Sequence, residues 1–259
     1  MNAIKVVVLH EIFKDNAICL ANRLGVGIAD KIYEPIVYVV FGAHLNPMLL
    51  LQLQQRTNCS YVILNSEHNS SNVFNNKYYL QLLKSNYVCD YLPNNVYYLK
   101  TYHNIEVMSY FFFEFTKRVS TKPRSIDILF IGSKTDKRVE IENVFKRQNP
   151  NYNIQFIYPD KFIDISQILL NTKTVVNISY YDNNVETHRI NQGLACGCKV
   201  VSYKFNQLDG LYKDHIFFTN DWIRVTSKPT KNYDELLETQ INNIFTHFKW
   251  VVTVIKNIR

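Results

Sequence analysis

VVNISYYDNNVETHRINQGLACGCKVVS, residues 175–202, opens on an apolar run (Val175–Ser179) and closes on a second one at Val200 and Val201. Between them lie a polar loop and a segment of helical spacing. Strand, loop, helix, strand is the repeating unit of a parallel α/β sheet. Val185, Ile190, Leu194 and Ala195 give the helix an apolar stripe, and Gly197 stands where a helix-ending glycine belongs. Gly193 and Ala195 are small enough to let it lie close on the sheet. Asn183, Asn184, Glu186, Thr187, His188, Arg189 and Asn191 crowd the other end. That end faces the C-terminal edge of the sheet, where open α/β sheets bind ligands beside helix N-termini.

The same stretch resembles the donor-site helix of glycosyltransferases of the GT-B architecture. In that family a glutamate precedes a helix ending in small-Cys-Gly-x-x-Val-Val-Ser; here Glu186 is followed by Ala195-Cys196-Gly197-Cys198-Lys199-Val200-Val201-Ser202. Where the family helix usually carries a second glutamate, this chain has Gln192, and Glu186-x-x-Arg189 is similar to a small, partly viral and bacterial branch. The resemblance implies an α/β fold of two Rossmann-like parallel-sheet domains facing a central cleft. It implies an acceptor-side domain at residues 1–117 and a nucleotide-sugar-binding domain at residues 118–259 that ends in a helix crossing back to the first.

Composition agrees with a folded chain. At 259 residues, 47% hydrophobic and 20% charged, it is long enough for two small cores. No apolar run approaches the ~20 residues that span a bilayer, and Ile4–Leu9 is too short for a signal-peptide core, so a cytoplasmic protein is expected. The five cysteines are odd in number, scattered and set in apolar runs, which predicts buried reduced thiols. Cys196-Gly197-Cys198 has no second Cys or His pair and fits no zinc spacing. The net charge of +7 admits nucleic acid, but the basic residues are dispersed and carry no helix-turn-helix or RNA-recognition signature; no nucleic-acid partner is expected.

In the first half, strands are predicted at Ile4–Leu9, Ile36–Phe41, Tyr61–Leu64 and Tyr87–Cys89, with helices over 15–24, 47–55 and 75–84. Residues 90–95 read as a turn and 105–110 as a last strand. Successive strands end in His10 with Glu11, in His44, and in Glu67 with His68. Any one of these is an ordinary solvated residue by itself; together they outline a polar edge. Asn65-x-Glu67-His68 and Asp90-Tyr91 with Asn95 are similar to patterns in the N-terminal half of the same transferase branch. Phe111-Phe112-Phe113 reads as core at a domain seam, and TKRVSTKPRS (116–125) as the domain boundary.

Ile126–Ile131 restarts the count and runs into Gly132-Ser133-Lys134, with Arg138 shortly after. A strand, a glycine and basic residues at a helix start suit a phosphate, although solvated charges at a helix start read the same way. The dipole contributes only about 0.3–1 kcal/mol, so Arg138 or Lys134 has to supply most of the grip. The family has a Gly-Ser loop and a basic residue here, on the donor diphosphate. Further strands are predicted at 152–158 and near 215–218, a helix over 163–170, and a terminal helix from Tyr233 to about Lys256.

The expected activity is transfer of a sugar from a nucleotide-sugar donor to a glycan or other hydroxyl acceptor. Gly132, Ser133, Lys134 and Arg138 are the candidates for the diphosphate, Glu186 for the donor's hydroxyls and Arg189 for the leaving-group charge, with Asn191 counted in the same donor site. For Glu186 and Arg189 the competing reading is an ordinary i,i+3 surface pair. His44, Glu67 and His68 are the candidate bases. With no Asp-x-Asp anywhere, catalysis without metal or other cofactor is expected. A transferase fold that binds nucleotide or glycan without turnover is the alternative.

Overall fold

Val37–Phe41 is buried at all five positions, the pattern of a strand covered on both faces. It is β3 of a wholly parallel sheet. The computed structural model describes residues 4–180, 186–203, 212, 215–219 and 233–236. The chain divides after Glu114 into two compact units.

In the first unit the elements run β1 (Ile4–Val8), α1 (Lys14–Leu24), β2 (Gly27–Ile28), β3, α2 (Pro47–Thr57), β4 (Ser60–Asn65), α3 (Lys77–Lys84), β5 (Tyr87–Asp90), α4 (Pro93–His103) and β6 (Val107–Tyr110). Among the described residues the strands form a six-stranded sheet ordered β2-β1-β3-β4-β5-β6. Left-handed residues stop the helices: Gly25 (φ 64°), Asn58 (φ 52°) and Asn104 (φ 53°) end α1, α2 and α4. Pro47 and Pro93 open α2 and α4, where a missing N–H loses no bond. Tyr38, Tyr61, Ile63, Leu50, Leu82 and Leu99 form the core on one face of the sheet. Phe111 and Phe113 pack edge-to-face at 4.8 Å, and Phe113 also meets Tyr91 at 5.2 Å, which makes this aromatic run core material.

The second unit runs β7 (Ile126–Ile131), α5 (Asp136–Gln148), β8 (Ile154–Ile157), α6 (Ser166–Leu170), β9 (Thr172–Asn177), α7 (Thr187–Ala195), β10 (Lys199–Tyr203) and β11 (Phe217–Thr219). These strands give a five-stranded parallel sheet, β11-β10-β9-β7-β8, wound in the same order as the first. Gly197 (φ 68°) follows the end of α7 as expected. A Cβ on Gly193 would stand 3.2 Å from Val200 Cγ2 and 3.4 Å from Val175 Cβ, so the helix does lie close on its sheet. The basic boundary segment has a second use: Arg118 N–H donates to Ala195 O at 2.9 Å and Arg124 Nη2 to Cys196 O at 2.6 Å, satisfying carbonyls at the end of α7.

The expected α/β class with two Rossmann-like parallel sheets is the observed one. All five cysteines are buried, and none forms a disulfide. Three local expectations need correction. Residues 93–95 are the first turn of α4, not part of a turn; only Asn95 and Leu99 of that helix are buried, so it shows no apolar stripe. α3 starts at Lys77 because Asn76 Oδ1 accepts from Tyr78 N and Tyr79 N and caps it there. α6 starts at Ser166, whose N–H is held by Asp164 Oδ1 at 2.9 Å. Val185 and most of the predicted terminal helix, including its crossing back, lie outside the described residues.

Candidate functional site

β7 and β9 are neighbours in the second sheet, while the chain leaves β7 toward β8 on one side and passes from β9 to β10 on the other. The crevice beyond their ends is the topological switch point, the usual ligand site of such sheets. Arg138 sits in the first turn of α5, whose N-cap Thr135 accepts from Arg138 N at 3.3 Å. Its side chain is 1% exposed and turns back over the strand ends. Nε and Nη2 donate to Ile178 O (3.2 and 2.7 Å), Nη1 to Ser133 O (2.8 Å), and Nη2 to Glu186 Oε1 (2.8 Å).

Arg189, on α7, converges on the same place. Its Nε donates to Ile131 O at 2.9 Å and Nη1 to Asn177 Oδ1 at 2.8 Å, while Nη2 pairs with Glu186 Oε2. Both guanidiniums lie over the Phe130 ring, at 4.9 Å for Arg138 and 4.8 Å for Arg189. Glu186, the N-cap residue of α7, thus bridges the arginines and also accepts from Tyr180 N–H. Two cations share one carboxylate, and the spot is cationic. Burial lowers the Arg138 pKa, Glu186 raises it, and Arg189 lowers it further. An ordinary exposed i,i+3 pair does not describe this cluster.

Gly132 leaves the arginines their room: a Cβ there would stand 2.8 Å from Arg189 Nη2 and 3.0 Å from Phe130 Cζ. Ser133 and Lys134 are exposed on the loop before Thr135. Asn191 is elsewhere, wholly buried, with Oδ1 accepting from Tyr212 Oη at 2.7 Å.

The first sheet has its own switch point, between β1 and β3. His10 follows β1. Gly42 (φ 77°) turns the chain after β3 into a single 3-10 turn carrying His44. From the next strand, β4, comes Glu67, whose Oε1 stands 3.2 Å from His44 Nε2. Burial lowers the His44 pKa, Glu67 opposes that, and His10 adds to the lowering. A neutral imidazole held by a carboxylate is suited to accept a proton. His68 is held in its own loop, Nδ1 accepting from Ser70 N–H at 3.1 Å, and burial lowers its pKa. Beneath Glu67 lies a buried cluster of Asn65, Tyr79, Asp90 and Asn95. The sequence marks Asn65, Asp90 and Asn95 through the Asn65-x-Glu67-His68 and Asp90-Tyr91 patterns but assigns them no role.

No family model matches the sequence, and no curated protein matches it. Among solved structures it is similar to S. aureus TarM in complex with fondaparinux, α-GlcNAc-glycerol and UDP, at 11% identity and a TM-score of 0.49. The match covers 86% of this chain and 50% of TarM, so the chain spans about half that protein's length. A likeness this slight carries no argument about activity. Among the described residues no helix is long and apolar enough to cross a membrane, and no three His, Cys, Asp or Glu side chains gather as metal ligands.

Proposed function

We propose that the chain is a glycosyltransferase that takes a sugar from a nucleotide-sugar donor and passes it to a hydroxyl of a glycan or similar acceptor, without a metal ion. The observation that carries this reading is the Arg138–Glu186–Arg189 cluster at the switch point of the second sheet, beside the Gly132 loop. A diphosphate needs cationic donors fixed before it arrives, because a prearranged charge stabilises the leaving group without reorganising. Arg189, 14% exposed, is the residue of the pair positioned to meet it, with Ser133 and Lys134 on the exposed loop. Arg138 acts from below, orienting Glu186 and the Ser133 carbonyl. Asn191 anchors α7 through Tyr212. In the first unit His44, held by Glu67, serves as the base for the acceptor hydroxyl, and His68 stiffens that loop. The absence of Asp-x-Asp from the sequence supports metal-independent chemistry.

One observation favours a binder without turnover. Both carboxylate oxygens of Glu186 already accept from arginines, and Oε1 also from Tyr180 N–H, which leaves less of the carboxylate for sugar or ribose hydroxyls. Incubation of the protein with UDP-, GDP-, CDP-, ADP- and dTDP-sugars in EDTA separates the readings. Release of nucleoside diphosphate, lost in Arg189→Ala, supports the transferase. Saturable binding with no release over long incubation supports the binder, and neither binding nor release would sink both.

A further inference from the structure

Asp90 closes β5 with no exposed surface, and no Lys or Arg pairs with it among the described residues. Burying a carboxyl away from cations is costly unless hydrogen bonds satisfy it. Here the donors are Leu92 N–H (2.8 Å), Asn65 Nδ2, and Asn95 Nδ2, which reaches both oxygens at 3.1 and 3.2 Å. An apolar residue would close the strand without that cost, so the bonds have another use.

Each amide, oriented by donating to Asp90, also holds the backbone of Glu67. Asn65 Nδ2 and Asn95 Nδ2 both donate to Glu67 O, at 3.1 and 2.7 Å. Asn65 Oδ1 accepts from Glu67 N–H at 3.3 Å and from the Tyr79 hydroxyl at 2.7 Å. Asn95 Oδ1 accepts from Asn69 N–H at 2.9 Å. Both backbone polar groups of Glu67 are therefore fixed by side chains that Asp90 orients. Glu67's own side chain reaches His44 Nε2, with Ser71 Oγ donating to its other oxygen at 3.0 Å.

We propose that Asp90 is a positioning residue for the His44–Glu67 pair, acting through Asn65 and Asn95 on the loop that carries Glu67. The importance of that pair rests on the reading of His44 as a base, but the proposal itself is tested on His44 without substrate. The groups facing the imidazole are Glu67 from the loop after β4, His10 from the end of β1, and the edge of the Tyr79 ring from α3.

The experiment is an NMR titration of His44 in the full chain, assigned with His44→Gln, in the native protein and in Glu67→Gln, Asp90→Ala and Tyr79→Phe. Glu67→Gln defines how far the His44 midpoint falls when its carboxylate is lost. Asp90→Ala is expected to produce at least half of that fall with Glu67 still present. Tyr79→Phe changes no charge, keeps the ring beside His44 and removes one bond to Asn65; it shifts the midpoint in the same direction by less. An Asp90→Ala protein that folds and titrates His44 as the native one does overturns the proposal. If Asp90→Ala does not fold, an unmoved midpoint in Tyr79→Phe overturns it. A failure of glycosyl transfer leaves this result standing, because no donor or acceptor enters the measurement.

Discussion

Arg138 and Glu186 are 48 residues apart in the chain and 2.8 Å apart in the structure, with the arginine 1% exposed. Their bond ties the first turn of α5 to the start of α7 across the ends of β7 and β9. Removing one partner leaves a buried guanidinium with a poorer acceptor. Glu186→Gln is expected to lower stability by about 1.5–3 kcal/mol in urea denaturation. An unchanged midpoint would mean the bridge contributes nothing.

A side chain at Gly132 would press on Arg189 and Phe130. Its Cβ would lie 2.8 Å from Arg189 Nη2, at the movable end of a side chain, and 3.0 Å from Phe130 Cζ. Gly132→Ala is expected to displace the guanidinium and weaken nucleotide binding at least tenfold. Overpacking should lower stability by about 1–3 kcal/mol. Full-strength binding in a folded Gly132→Ala would show that Arg189 is not the ligand group.

Arg189→Lys tests the geometry rather than the charge. The native fork reaches Ile131 O, Asn177 Oδ1 and Glu186 at once, which a single ammonium cannot do. Nucleotide affinity should fall tenfold or more, about 1.4 kcal/mol, by calorimetry. Equal affinity would reduce the site to a point charge.

Burial has opposite effects on two groups of the first unit. It raises Asp90 to about 7 from 3.8, so the folded state keeps a proton that the unfolded chain has lost. That contribution is fully present below about pH 4 and disappears as pH rises through about 7. Stability of the native protein relative to Asp90→Asn should therefore decline from pH 4 to 8, by up to about 4 kcal/mol. His68 is lowered from 6.5, so its contribution is present above that value and lost as pH falls through the folded pKa. Relative to His68→Asn, the native protein should lose stability on acidification below 6.5. Parallel urea series over this range check both signs.

Strands buried on both faces were legible because such a strand has to be an almost unbroken apolar run, as in Val37–Phe41 and Ile126–Ile131. Gly197 was legible because few residues besides glycine adopt its backbone angle readily. α4 was not: its outward face is tyrosine, asparagine and lysine, and the short apolar inner face leaves no period to read. Arg138, Glu186 and Arg189 were each singled out from the sequence, and Glu186 with Arg189 reads there as an i,i+3 pair, but the bond from Arg138 to Glu186 is not visible there. That bond depends on β7 lying beside β9, and chain order carries no record of that neighbour. The bonds between Asp90 and Asn65 were hidden for the same reason, since the two are 25 residues apart, although the sequence marked both.

The donor site proposed for the second unit is best examined by thermal unfolding of the native protein and Arg189→Ala, in EDTA, with UDP, GDP, CDP, ADP and dTDP and their sugars. A ligand at a hundred times its Kd adds about 2.7 kcal/mol, which for a chain of this size is several degrees in Tm. The expected result is a rise with one nucleotide family in the native protein and none in Arg189→Ala. A folded native protein whose Tm moves with none of them, or moves equally in Arg189→Ala, would contradict a nucleotide-sugar site at the Arg138–Glu186–Arg189 cluster.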